Sequence, residues 1–138
     1  MKRTATAHWT GTIKEGKGEL TTQSEVLLQT NYSFKTRFTG EEKGTNPEEL
    51  LAAAHAGCFT MAVSLGLTQK GLSPDSLDTE AVVSMDNTGI TGVHLSIKGS
   101  VPGISAEDFV AIVKDAEKNC LISKVLNISI SSDAELIA

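Results

Sequence analysis

Cys58 and Cys120 are the residues in this chain best suited to carry chemistry. A thiolate is a strong nucleophile, and oxidation takes it to a sulfenic acid and on to a disulfide. Two thiols are too few for a disulfide scaffold. His55 stands one helical turn before Cys58, and an imidazolium there would help hold a thiolate. Arg37 is a second candidate cation for that task, and Glu48 a carboxylate able to fix a guanidinium in place.

Each of these residues also has an ordinary structural use. A free cysteine packs as a small hydrophobe, and both cysteines fall on apolar helix faces. His55 suits a packed, hydrogen-bonded position equally well. Arg37 alternates with Ser33 and Lys35, as a solvated arginine would. A zinc site from His55, Cys58, Cys120 and either His8 or His94 lacks a paired-ligand spacing such as C-x-x-C. Gly11 to Lys17 matches the start of a phosphate-binding loop. The next residue is Gly18 rather than Ser or Thr, and a strand pattern follows where a helix is required.

The elements that position these groups are legible in outline. Thr4–Trp9 and Tyr32–Phe38 alternate as strands, the second with Tyr32, Phe34, Thr36 and Phe38 on one face. Glu19–Leu28 is a weaker strand, joined to the first around Gly16-Lys17-Gly18. Asn46 then caps a helix, Pro47 opens it and Glu49 completes a capping box. This helix is expected to run to about Lys70 and to stop at Gly71. Leu77–Met85 and Ile90–Val101 form two further strands around Asp86-Asn87-Thr88-Gly89. Ser105 with Asp108 opens a helix over 106–119, whose stripe of Phe109, Ile112, Val113 and Ala116 leads to Cys120. A last strand lies near 127–137. The order βββ-α-ββ-α-β predicts one α+β domain over residues 1–138.

Leu50 to Gln69 carries no charge over about the length of a membrane span. Its Ala, Gly, Ser and Thr content and its place between β segments favour a helix buried on all sides, with no membrane partner. Cys58 shares a stripe with Leu50, Ala54, Met61 and Leu65. A chain of 138 residues with one other helix is hard pressed to surround such a helix alone. A homodimer would supply the cover. The formal net charge of −5, with no Lys/Arg stripe, disfavours nucleic-acid binding. Met1-Lys2-Arg3-Thr4-Ala5 leads into no apolar h-region, so a cytoplasmic location is expected.

Glu48 poses a geometric question. It precedes Cys58 by ten residues, or about 15 Å along a straight helix. If both serve one site, the helix breaks or a second subunit supplies Glu48. The dimer inference favours the second subunit.

At these residues the chain resembles the OsmC/Ohr family, and its OsmC branch in particular. The resemblance runs through Ala7-His8-Trp9, Thr36-Arg37-Phe38, the block Gly44 to Leu50, Ala53 to Cys58, and Val101-Pro102-Gly103-Ile104. It implies an intertwined homodimer, with central buried helices wrapped by antiparallel-rich sheets and two sites at the subunit interface. It also implies a thiol peroxidase that reduces organic hydroperoxides in oxidative and osmotic stress defence. By motif, Cys58 is the peroxidatic cysteine, Cys120 the resolving one, and Arg37 with Glu48 the polar pair beside the reactive thiol. One departure is local. The family often has Cys-Pro-Val-Ser where this chain has Cys120-Leu121-Ile122-Ser123.

On this reading Cys58 forms a sulfenic acid and then a disulfide with Cys120. An external dithiol, such as that of a lipoylated protein, restores both thiols. Leu51, Phe59 and Met61 would line an apolar approach, and no metal, flavin or haem is required. The rival from another class is a non-enzymatic dimeric binding or stress module whose cysteines are structural.

Overall fold

The computed structural model describes residues 1–137, and the chain divides into two compact units, the first Met1–Leu50 and the second beginning at Leu51. In the first unit, β1 (Ala5–Thr10), β2 (Lys17–Thr22) and β3 (Thr30–Tyr32) form an antiparallel sheet in sequence order. Gly18 lies between Trp9 and Tyr32 across the sheet. A Cβ on Gly18 would fall 2.4 Å from the Tyr32 ring, so glycine lets these two rings meet, 5.6 Å apart at their centres. The strand expected over 19–28 stops at Thr22. There the chain folds back, Thr22 N–H bonding the Leu27 carbonyl at 2.9 Å, with Glu25 in the left-handed region at φ 63°.

The alternating stretch Tyr32–Phe38 is not a strand. After β3 it becomes the short helix α1 (Phe34–Phe38). The cause is local: Ser33 Oγ accepts Thr36 N–H at 3.2 Å, and Thr36 Oγ1 accepts Ser33 N–H at 2.7 Å. This reciprocal capping box holds Ser33 extended and starts a helix. Phe34 and Phe38, four residues apart, then pack with centroids 4.9 Å apart. Arg37 accordingly sits on a helix, not on the polar face of a strand.

Next comes α2 (Pro47–Gln69), an unbroken helix of 23 residues. Asn46 Oδ1 accepts Glu49 N–H at 2.8 Å, as an N-cap should. The capping box is only half made, because Glu49 Oε2 accepts from Thr45 Oγ1 at 2.8 Å instead. Gly71 ends the helix at φ +75°, where a side chain would be strained.

The second unit holds a sheet in the order β4-β5-β6, formed by β4 (Ser76–Asp86), β5 (Gly89–Ser100) and β6 (Ser129–Leu136). The β4–β5 pair is antiparallel and the β5–β6 pair parallel. A parallel return needs a crossover, which α3 (Ala106–Asn119) and α4 (Leu121–Val125) provide. Ser105 caps α3 through Asp108 N–H at 3.1 Å. The core joins Phe59, Val63 and Leu67 of α2, Val93, Leu95 and Ile97 of β5, and Phe109, Ile112, Val113 and Ala116 of α3. Where α2 meets α3 there is no room for a side chain at residue 66: a Cβ on Gly66 would lie 2.8 Å from Ile112.

Two features bear on assembly. On its own chain α2 is not buried on all sides. The stripe His55, Phe59, Val63, Leu67 is buried, while Ala53, Ala54, Gly57, Met61 (75% exposed) and Leu65 lie open. Length and composition alone would let α2 cross a membrane. Among the described residues, none of the buried apolar side chains comes from Met1–Leu50. That unit folds without an apolar core of its own.

Candidate active site

In the first unit the structure joins Arg37 to Glu48. Arg37 Nη2 donates to Glu48 Oε1 at 2.6 Å, and Nε donates to Oε1 at 3.0 Å and Oε2 at 3.2 Å. The Glu48 side chain is 10% exposed and that of Arg37 40%. The hydrogen bonds from Arg37 hold the Glu48 carboxyl below its ordinary titration range, against the opposing effect of burial. The same pairing raises Arg37 further above neutrality. The Arg37 guanidinium carbon also lies 5.1 Å from the centre of the Phe38 ring.

The neighbouring residues explain the geometry. Asn46 Nδ2 donates to the Thr36 carbonyl at 3.2 Å while its Oδ1 caps α2, so one side chain fixes the end of α1 to the start of α2. Thr45 N–H bonds the Asn31 carbonyl at 2.9 Å and bridges beside Tyr32. A Cβ on Gly44 would collide with the Asn31 carbonyl oxygen at 2.4 Å. Gly44-Thr45-Asn46-Pro47-Glu48 is thus a device for delivering one carboxylate to one guanidinium.

In the second unit both cysteines are free thiols, Cys58 half-buried on α2 and Cys120 buried between α3 and α4. Cys58 packs against the core from the edge of the buried stripe of α2, next to the open face that carries Ala54 and Met61. Phe59 is fully buried in the core, so it does not line an approach to Cys58; of the three residues expected there, Leu51 is half-buried and Met61 exposed. Glu48 and Cys58 occupy one unbroken helix. Their axial separation is about 15 Å, and the helix-break alternative is removed.

His55 is linked to Cys120 through Ser123. Its ring is 0% exposed, and Nε2 lies 2.8 Å from Ser123 Oγ. Ser123 Oγ lies in turn 3.0 Å from Cys120 Sγ, and Ser123 N–H donates to that sulfur at 3.3 Å. Burial lowers the pKa of His55, so the ring is neutral and is not the imidazolium that the spacing to Cys58 suggested. The sequence reading did not single out Ser123 as a neighbour of the Cys120 sulfur. Its signal was its place three residues after Cys120, where a backbone N–H meets a helix-capping side chain.

His94 lies apart on β5, with Nδ1 2.6 Å from Ser131 Oγ and Nε2 2.6 Å from Asp133 Oδ2. Among the described residues no three His, Cys, Asp or Glu side chains are grouped to hold a metal ion.

An α+β chain with these two free thiols and this Arg–Glu clasp belongs to the OsmC-like family: the family model described as OsmC-like protein matches residues 40–135. Among its relatives, it is 50% identical over 134 residues to the Peroxiredoxin OsmC of Escherichia coli (strain K12), covering 94% of this chain and 93% of that protein. It is 35% identical over 100 residues to the Organic hydroperoxide resistance protein OhrA of Bacillus subtilis (strain 168), covering 69% of each. The fold matches the crystal structure of an OsmC-like protein from Mycoplasma pneumoniae with a TM-score of 0.76 at 17% identity, over 100% of this chain and 99% of that one.

Proposed function

We propose that this cysteine-based peroxidase reduces organic hydroperoxides through Cys58, with Cys120 as its resolving partner, in oxidative and osmotic stress defence. Its relatives are a peroxiredoxin and an organic hydroperoxide resistance protein. The Cys58 thiolate attacks the distal peroxide oxygen. The O–O bond breaks, an alcohol leaves and Cys58 becomes a sulfenic acid. Cys120 then displaces the sulfenic oxygen as water and forms a disulfide. An external dithiol, such as a lipoylated protein, reduces that disulfide by exchange.

Arg37 stabilises the thiolate and the charge that develops on the peroxide, and Glu48 fixes Arg37. Nε and Nη2 are engaged by Glu48, which leaves Nη1 for the reacting groups. The observation that carries this reading is the continuity of α2. Glu48 and Cys58 of one chain cannot converge along an unbroken helix. A second copy therefore supplies the Arg37–Glu48 pair, and the active form is an intertwined cytoplasmic homodimer, each chain one OsmC-like domain over residues 1–138. The open apolar face of α2 and the coreless first unit both favour such an assembly. Met61, exposed one helical turn after Cys58, gives an apolar approach suited to an organic peroxide.

The test is turnover of cumene hydroperoxide against hydrogen peroxide, with dithiothreitol or dihydrolipoamide as reductant. Wild type is expected to prefer the organic peroxide, and Cys58→Ser to lose activity. Full activity in Cys58→Ser would contradict the reading.

A further inference from the structure

The buried His55–Ser123–Cys120 chain is more than a packing arrangement. A neutral imidazole carries one N–H, and its position decides which way the hydrogen bonds run. His55 Nδ1 is buried and without a partner among the described residues. An orphaned buried N–H is rarer than an under-satisfied acceptor. The proton therefore belongs on Nε2, which donates to Ser123 Oγ across 2.8 Å. Ser123 then accepts from His55 and turns its own hydrogen to Cys120 Sγ, 3.0 Å away. With the Ser123 backbone N–H at 3.3 Å, two donors converge on one sulfur. Cys120 is itself anchored, its N–H bonding the Ala116 carbonyl at 3.0 Å and its carbonyl accepting Lys124 N–H at 3.1 Å.

We propose that His55 and Ser123 are positioning residues for the second half of the reaction: they orient the Cys120 sulfur and stabilise the negative charge it carries as it attacks oxidised Cys58. This rests on the peroxidase reading above and assigns roles that act only after the peroxide has reacted. The chemistry balances without a further oxidant. The Cys120 sulfur forms the S–S bond with its electron pair while the Cys58 S–O bond breaks. The oxygen leaves as hydroxide and takes up the proton lost by the Cys120 thiol, giving water. Ser123 and His55 end the step in the protonation states in which they began it.

The experiment is single-turnover stopped flow on the full-length reduced protein with one equivalent of cumene hydroperoxide. Sulfenic acid on Cys58 is followed by dimedone quench, and disulfide by the loss of the second thiol. Ser123→Ala is expected to form sulfenic acid at the wild-type rate and the disulfide about tenfold more slowly, the effect of one lost donor to a charged acceptor. Ser123→Thr, which keeps the hydroxyl, is expected to restore the second rate. If Ser123→Ala does not fold, His55→Gln, which keeps an amide donor, is compared with His55→Leu, and only the latter is expected to be slow. Wild-type disulfide rates in Ser123→Ala, or in both His55 variants, would overturn the proposal and leave the peroxidase reading intact. Failure of the wild type to form sulfenic acid at all would overturn both.

Discussion

The guanidinium of Arg37 grips the carboxylate of Glu48 through Nε and Nη2, with the shortest contact at 2.6 Å, across two helices held together by Asn46. The fork needs a planar donor pair, which Lys cannot offer. Arg37→Lys is expected to retain the fold and to lose at least about tenfold in kcat/KM. Arg37→Leu leaves the nearly buried carboxylate alone and is expected to cost about 1 kcal/mol of stability, a modest figure because Arg37 is itself 40% exposed. Urea unfolding together with peroxidase kinetics checks both.

Mixed dimers test where the pair acts. Arg37→Leu and Cys58→Ser chains are each impaired. Refolded together, they would build one intact site in every mixed dimer if Arg37 serves the Cys58 of the other copy. Recovery to about a quarter of wild-type activity is expected from random pairing of the two chains. Sites formed within one chain would show no recovery.

The open face of α2 should behave as an interface. Leu65 is exposed on the chain alone, beside Met61. Leu65→Asp would place a charge in an apolar contact between copies. Sedimentation is expected to show a dimer for the wild type and a shift toward monomer for the variant. An unchanged sedimentation coefficient would argue for an interface elsewhere.

Two groups of the candidate site contribute to the dependence of stability on pH. His55 is held below its ordinary value of 6.5 by burial, so below that pH the unfolded chain takes up a proton that the folded chain refuses. Stability from this group is complete above pH 6.5 and falls as the pH drops, by up to about 1.4 kcal/mol per pH unit. Glu48, lowered chiefly by its hydrogen bonds to Arg37, adds a second loss that begins only below about 4.5. Thermal unfolding across pH is expected to show both limbs, and His55→Gln to lack the upper one.

Much of this was legible in the sequence, and the misses have physical causes. The second helix of the chain, its proline and its terminal glycine follow local rules that need no tertiary context. The same holds for α3 and its buried stripe. The stretch from Tyr32 to Phe38 misled because residues at i, i+2 and i+4 satisfy a strand while i and i+4 alone satisfy a helix. The Ser33–Thr36 capping box decided it. The apolar content of α2 showed that the helix needs cover on every side, but composition cannot say which side its own chain provides. The partner of His55 lay 68 residues away in Ser123. Sequence spacing pointed to Cys58, the neighbour along the helix, and no local pattern reports a contact between distant segments.

The account stands most directly on the fate of Cys58. Fully reduced protein would be given one equivalent of cumene hydroperoxide, then alkylated, digested and read by mass spectrometry. The account predicts one disulfide joining the Cys58 and Cys120 peptides in the wild type, and a single added oxygen on Cys58 in Cys120→Ser. Recovery of both cysteines as free thiols, with the peroxide unconsumed, would contradict it.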